Sequence, residues 1–281
     1  MQFRSVFLGL GFDQLAPDPP PETYAAENYA LAFSASEQAH LSVFMAAPVL
    51  YVPSAGLLPL VHSLVDEVNA ERRQHAEAAE KRIANAAAVA GVIAEFHLVQ
   101  KSYNEASQGV AAGARLNDIA VIARPENGLS LDQTLIEVIL FTSGRPVLVI
   151  PPKWDRAPHY RNIMVAWDGS ARAARAVGDS LPFLTRAERV EILCALPDAS
   201  KCIGGADLAA HLSRHCKSVA VVELPVQHGD VARTIGAHAI NAGADLLVMG
   251  AYGHPRLVEM VLGGVTSVML AEAGLPLLLS Y

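Results

Sequence analysis

The stretch that decides the fold occupies residues 244–266 and reads ADLLVMGAYGHPRLVEMVLGGVT. Its apolar run LLVM suits a short strand that is covered on both faces of a parallel sheet. Gly250 and Gly253 follow this strand, and the pair Gly263 and Gly264 comes after nine further residues. A strand, a glycine-bearing loop and a helix are how α/β proteins bring backbone N–H groups against a phosphate. We expect glycine there because a Cβ would block unusual φ values and close approach. The stretch therefore predicts an α/β fold with an anion-binding loop.

The composition limits the class of protein. A chain of 281 residues is long enough for one large domain or two ordinary ones. A formal net charge of −7 argues against a nucleic-acid partner, which needs a basic surface. Three cysteines in a chain of this size predict no disulfide framework and hence a reducing compartment. The opening residues lack the apolar region of a signal peptide, so the predicted location is cytoplasmic.

An uncharged segment at residues 38–65 could be taken for a membrane span by its length alone. Pro48, Pro53 and Pro59 would break such a helix repeatedly, and no basic cluster flanks it. A buried strand, a proline-rich loop and a helix start explain the segment better. No membrane contact is predicted.

The order of strand-like and helix-like segments occurs twice along the chain. Two stretches of the first half align with stretches of the second. The segment NDIAVIARPEN, from Asn117, aligns with ADLLVMGAYGH, and GRPVLVIP, from Gly144, aligns with GLPLLLSY. Strands that alternate with helices predict parallel sheets in both arrays. The final strands of the two halves, PVLVI and PLLLS, are apolar and suited to edge pairing, which predicts that the halves pair with each other within one chain. A homodimer of the chain is left open.

A proline-rich connector, PPKWDRAP, separates the two arrays and indicates the domain boundary. The predicted domains are residues 1–152 and 160–281, joined by a linker at 153–159.

Residues 160–281 resemble the universal stress protein (UspA-type) family. The resemblance rests on an opening strand that ends in Asp168, a long βαβ middle, and the loop G-x2-G-x9-G followed by a small residue. The whole chain is similar to a tandem member of that family. The resemblance implies two Rossmann-like domains of the adenine nucleotide alpha hydrolase type. Each would be an open five-stranded parallel sheet in the order 3-2-1-4-5, with helices on both faces. It also implies an ATP-binding regulatory or stress-response protein.

Site residues follow from the resemblance by position. Ala166 and Asp168 would lie beside the adenosine, and Ala195 and Met249 would line the adenine pocket. The ribose and phosphates would be surrounded by Gly250, Gly253, Gly263, Gly264, Val265 and Thr266. The implied ligand is ATP, or ADP or AMP in its place, and Mg²⁺ is a cofactor that the resemblance allows.

One residue departs from the family pattern. The motif usually ends in Gly-Ser or Gly-Thr, and here Gly264 occupies the hydroxyl position. A donor to the terminal phosphate is therefore missing, although the backbone N–H remains and Thr266 offers a hydroxyl nearby. This departure bears on triphosphate binding more than on the existence of a pocket.

The N-terminal half carries side chains where the second half has glycines. The aligned positions hold Ala123, Glu126 and Gln133, and Gly11 replaces the aspartate that ends the opening strand. A carboxylate in a phosphate loop repels the ligand, and side chains block approach to the backbone. This half is predicted to keep the fold and to bind no nucleotide.

One histidine cluster could be interpreted as a metal site, but an ordinary helix that bears two histidines is the favoured interpretation. His211 and His215 are four residues apart on a predicted helix, with Cys216 adjacent and Cys202 upstream. This spacing resembles that of metal ligands, but helices often bear histidines four apart, and no paired CxxC is present. No metal ligand is assigned.

Two further functions remain open at this point, a slow ATP-using enzyme of related fold and a ligand-free interaction scaffold. The sequence contains no G-x-S-x-G, P-loop or H-E-x-x-H motif. His254 and Asp168 are the acid–base groups near the loop, so few residues there could serve an enzyme as general acid or base.

Overall fold

The structure is a computed structural model that describes residues 2–11, 15, 24–51, 59–124, 131–195, 204–251, 253–255 and 260–281. Strands and helices alternate along the chain, as predicted. The first half contains the strands β1 (Ser5–Leu10), β2 (His40–Ala46), β3 (Ala94–Val99), β4 (Ile119–Ala123) and β5 (Val147–Ile150). The second half contains the strands β6 (Asn162–Ala166), β7 (Arg189–Cys194), β8 (Val219–Glu223), β9 (Leu246–Gly250), β10 (Gly253–Pro255), β11 (Met260–Leu262) and β12 (Leu277–Ser280).

Each half has four helices within the residues that the structure describes. Those of the first half are α1 (Ala25–Glu37), α2 (Pro59–Ala90), α3 (Tyr103–Ala114) and α4 (Leu131–Thr142). Those of the second half are α5 (Ala171–Leu184), α6 (Gly205–Leu212), α7 (Val231–Asn241) and α8 (Gly264–Glu272). No helix in the described part of the chain is both long and apolar enough to cross a membrane.

Ten strands form one sheet in the order β3-β2-β1-β4-β5-β12-β9-β6-β7-β8. Each half contributes its strands in the order 3-2-1-4-5, and all pairs within a half are parallel. The α/β class is confirmed. At the centre β5 and β12 are antiparallel neighbours, with Leu278 opposite Leu148. The two halves therefore run in opposite directions, and the carboxyl ends of the second half's strands share an edge of the sheet with the amino ends of the first half's strands.

The helices cover both faces of the sheet and create two cores. One core is formed with α1, α2, α5 and α6, and the other with α3, α4, α7 and α8. Strand β9 shows why the sequence reads as a continuous apolar run: Leu246 and Val248 face the first core, whereas Leu247 and Met249 face the second.

Both halves contribute to the first core at their junction. The rings of Phe3 and Phe33 pack against Phe183 and Tyr160 at centroid distances between 4.9 and 6.2 Å. The hydroxyls of Tyr29 and Tyr160 are hydrogen-bonded at 2.8 Å. Burial raises the pKa of the Tyr160 hydroxyl well above its usual range, so this pair stays neutral. The junction is thus an aromatic core in which the two tyrosine hydroxyls bond to each other.

The connector between the halves follows the predicted boundary in part. Residues 151–161, all of them described, form neither helix nor strand. Trp154 in this segment is half-buried against both cores. The division into domains at residues 152 and 160 stays a prediction, because one sheet and two hydrophobic cores include residues of both halves.

An aspartate before the fourth strand recurs in both halves and ties the strand starts together. Asp245 accepts hydrogen bonds from the N–H groups of Arg161 and Asn162, both at 2.9 Å, and lies 2.9 Å from His159. Asp118 accepts the equivalent pair of N–H groups at 2.7 and 3.0 Å. The same carboxylate therefore fixes where the first strand enters each half of the sheet.

We expect Asp245→Ala to lower the free energy of unfolding by about 2 kcal/mol, because two amides lose their acceptor at a site that is 6% exposed. Asp118→Ala should cost less, about 1 kcal/mol, since that carboxylate is half-buried and water can replace it. Urea denaturation of both variants checks the difference. Equal losses would contradict this account of the strand starts.

Two local features of the glycine-bearing stretch were not predicted from its residues. Helix α8 begins at Gly264, so the second glycine pair lies at its start. Strands β10 and β11 form an antiparallel hairpin between the two glycine pairs, with Gly253 opposite Leu262. A three-residue strand is too short to show periodicity in sequence.

Candidate functional site

A cavity of about 270 Å³ lies where β6, β7 and β9 end, between α5, α7 and α8. Ligands of open α/β sheets bind at this place, beyond the carboxyl ends of the strands where the order of strands reverses. The reversal in this half falls between β6 and β9.

Every predicted site residue other than Gly253 lines this cavity. They are Ala166, Asp168, Ala195, Met249, Gly250, Gly263, Gly264, Val265 and Thr266. Gly253 lies at the start of β10 in the hairpin that connects the two glycine pairs. Residues that are up to a hundred positions apart in sequence are thus brought to one cleft by the parallel order of the strands.

The cavity has further walls that the sequence analysis missed. They are Trp167, Ala173, Val231, Ile235 and Met269. Val231 and Ile235 lie four residues apart on α7, so apolar helical spacing was the available signal for them. Trp167 was detectable as the residue between two predicted site positions. Most of the lining is therefore apolar, as suits a planar base.

The start of α8 supplies the polar part of the cleft. Gly263 is the N-cap residue, with φ −69° and ψ 158°, and as a glycine it has no side chain with which to cap the helix. The N–H groups of Gly264 and Val265 fall in the first turn, where an α-helix offers no partner of its own. Unsatisfied amides and the positive end of the helix dipole together favour an anion at this position.

Gly250 is a glycine because the first turn of α5 lies against it. A Cβ built on Gly250 would be 2.6 Å from the backbone N of Ala173 and 2.6 Å from the carbonyl carbon of Arg172. A Cβ on Gly264 would meet nothing within 4 Å. Neither residue, nor Gly263, has a positive φ. The expectation that these glycines provide unusual φ values is therefore wrong. The close approach at Gly250 is that of the α5 backbone, and the approach of a phosphate stays a prediction.

The loop after β6 is built by three consecutive residues. Asp168 accepts a hydrogen bond from the N–H of Ser170 at 2.9 Å, and Gly169 has φ 76°. Ser170 is the N-cap of α5 and accepts from the N–H of Ala173 at 3.1 Å. Ser170, and not Asp168, is therefore the N-cap of α5. Asp168 instead holds the turn and stands exposed at the cavity rim.

The register of the sheet aligns the first half with the second. Ala123 pairs with β5 as Gly250 pairs with β12, and Ile122 pairs with β1 as Met249 pairs with β6. Gln133 lies in the first turn of α4, and Glu126 is outside the described residues. A Cβ therefore stands at the position where the second half needs close approach.

The histidine cluster does not assemble a metal site in the described part of the chain. The rings of His211 and His215 are 5.3 Å apart and tilted, and no group of three or more potential metal ligands occurs among the described residues. Burial raises the pKa of the Cys216 thiol, which disfavours the thiolate that a metal requires. Cys202 lies outside the described residues.

Comparisons with known proteins agree with the geometry. Residues 159–280 match the model of the Universal stress protein family. The fold is similar to that of a universal stress protein from Archaeoglobus fulgidus DSM 4304, with a TM-score of 0.71 and 15% identity over 98% of this chain and 97% of that chain. A protein of unknown function from Pseudomonas aeruginosa PAO1 is also similar, with a TM-score of 0.54 and 15% identity over 99% of this chain and 92% of that chain. A search of curated proteins found no match.

Proposed function

Because residues 159–280 carry a domain of the universal stress protein family, we propose that the chain binds one adenine nucleotide, ATP or its ADP or AMP form, in the cavity of its C-terminal half. The N-terminal half binds none and serves as an intramolecular partner. The chain acts as a nucleotide-dependent regulatory protein in stress response, in the cytoplasm.

One observation carries this proposal: an apolar cleft and an uncapped helix start meet in the same cavity. The base would lie among Ala166, Ala195 and Met249, where apolar walls exclude water. Asp168 at the rim can accept a hydrogen bond from a ribose hydroxyl, because an ionised carboxylate offers acceptors only. The first turn of α8 would receive the phosphates.

The cleft is better suited to a nucleotide that is bound for regulation than to one that is hydrolysed or transferred. Asp168 is the one ionisable side chain among the cavity-lining residues that the structure describes, and it is engaged in its own turn. Phosphoryl transfer relies on cations that neutralise developing charge and on a group that positions the nucleophile. Mg²⁺ would reach this site together with the phosphates of its ligand, and Asp168 and Thr266 are the cavity-lining residues whose side chains could offer it oxygen donors.

Isothermal titration of the full chain with ATP, with and without Mg²⁺, tests the proposal. We expect saturable heat with one site per chain, because Ala123 carries a side chain at the position that Gly250 holds in the second half. ADP and AMP titrations show how much the phosphates contribute. No heat with any of the three would reject nucleotide binding, and two sites per chain would reject the inactive first half.

A further inference from the structure

Helix α4 of the first half reaches the nucleotide edge of the second half. Near its last turn the ring of Phe141 meets the ring of Tyr281 edge-on, with centroids 4.8 Å apart and planes at 82°. The guanidinium carbon of Arg172 lies 4.9 Å from the centre of the same Tyr281 ring. An aromatic pair and a cation–π contact thus join the first half to α5 through one side chain.

Arg172 connects this contact to the cavity. It precedes Ala173, which lines the cavity and whose N–H is held by Ser170. Gly250 packs against the backbone of both Arg172 and Ala173. The position of this turn of α5 therefore sets one wall of the cleft.

A second route runs through the strands beside Tyr281. Ser280, its neighbour, accepts a hydrogen bond at 2.7 Å from the N–H of Ala251, directly after Gly250. The backbone of β11 also lies against α4, and β11 leads within one residue to Gly264 at the start of α8. Both sides of the cleft are therefore in contact, directly or through one residue, with the first half.

We infer that Phe141 and Tyr281 are positioning residues for the nucleotide site, so that the half without a ligand holds the binding site of the other half in shape. This inference rests on the proposed function. Phe141 does not line the cavity itself; it restrains Tyr281, which is 40% exposed and has the face of its ring covered by Arg172. Without the contact between Phe141 and Tyr281, the ligand would have to order the first turn of α5 and the hairpin when it binds. The conformational entropy lost in that ordering would weaken binding.

The test uses full-length Phe141→Ala and Tyr281→Ala, titrated with ATP by calorimetry at a temperature well below the unfolding transition. We expect each to raise the dissociation constant about threefold to tenfold, the range of an aromatic contact. The double variant should be little worse than either single one, because both break the same contact. Tyr281→Phe keeps the ring and should bind like the wild type. Leu116→Ala is the control in the same half, since Leu116 is 84% exposed.

Hydrogen exchange of the free protein supplies a readout without nucleotide. Phe141→Ala should speed amide exchange in the first turns of α5 and α8, and Leu116→Ala should not. Lower thermal stability with unchanged affinity and unchanged exchange would overturn the inference. If the wild type binds no ATP, the proposed function fails, and the hydrogen-exchange experiment alone tests the positioning role. Faster exchange of Phe141→Ala in the first turns of α5 and α8 then upholds that role, and unchanged exchange overturns it.

Discussion

Gly250→Ala should lower the free energy of unfolding by about 3 kcal/mol, because its methyl group would collide with main chain. The nearest atoms, the N of Ala173 at 2.6 Å and the carbonyl carbon of Arg172 at 2.6 Å, cannot rotate away as a side chain would. Relief requires β9 and the first turn of α5 to separate. Both elements are held elsewhere, β9 by its two neighbouring strands and α5 by the aromatic core at Phe183.

Gly264→Ala is the matched control for this substitution. Its Cβ would meet nothing within 4 Å, and the residue is the first of a helix with ordinary φ. The free energy of unfolding should stay within about 1 kcal/mol of the wild type, on the stabilising side. Urea denaturation of the two variants compares them directly. If both unfold alike, the close approach of α5 to β9 is not a feature of the protein in solution.

The strands were predictable from the sequence because they depend on local signals, whereas their order followed from the family resemblance alone. A run such as LLVM at 246–249 is apolar at every position, as a strand covered on both faces must be. The internal repeat aligns Ala123 with Gly250, and the strand register confirms that the two residues hold equivalent positions in their halves. Nucleotide contacts at the strand ends were likewise assigned by position, and those residues converge on one cavity.

Contacts between distant segments were not predictable. The neighbour that makes Gly250 necessary is the backbone of Ala173, and nothing local to either residue reports this approach. The position of Gly250 was therefore predictable, but the contact that requires a glycine there was not. Whether Asp168 or Ser170 caps α5 is likewise not decided by local sequence, since both residue types favour that position and only the path of the chain separates them.

Gly264→Glu should abolish ATP binding while leaving the fold intact. The position has open space for a side chain, and it opens into the cavity at the start of α8. A carboxylate about 4 Å from a phosphate costs roughly 4 kcal/mol at an effective dielectric constant near 20. The dissociation constant should therefore rise at least about a hundredfold. An acidic residue in the first turn of a helix is favourable, so the stability should be unchanged or higher by about 0.5 kcal/mol.

Two variants at the same position separate charge from size. Gly264→Gln has nearly the same volume without the charge and should lose much less affinity than the glutamate variant. Gly264→Ser adds a hydroxyl donor toward the phosphates and should tighten ATP binding more than AMP binding, because AMP lacks the outer phosphates. Calorimetric titration and thermal unfolding of all three give both quantities. Undiminished ATP binding by Gly264→Glu would mean that the phosphates do not approach the start of α8. A ligand would then lie elsewhere in the cleft, because a buried anion next to an added carboxylate cannot bind unchanged.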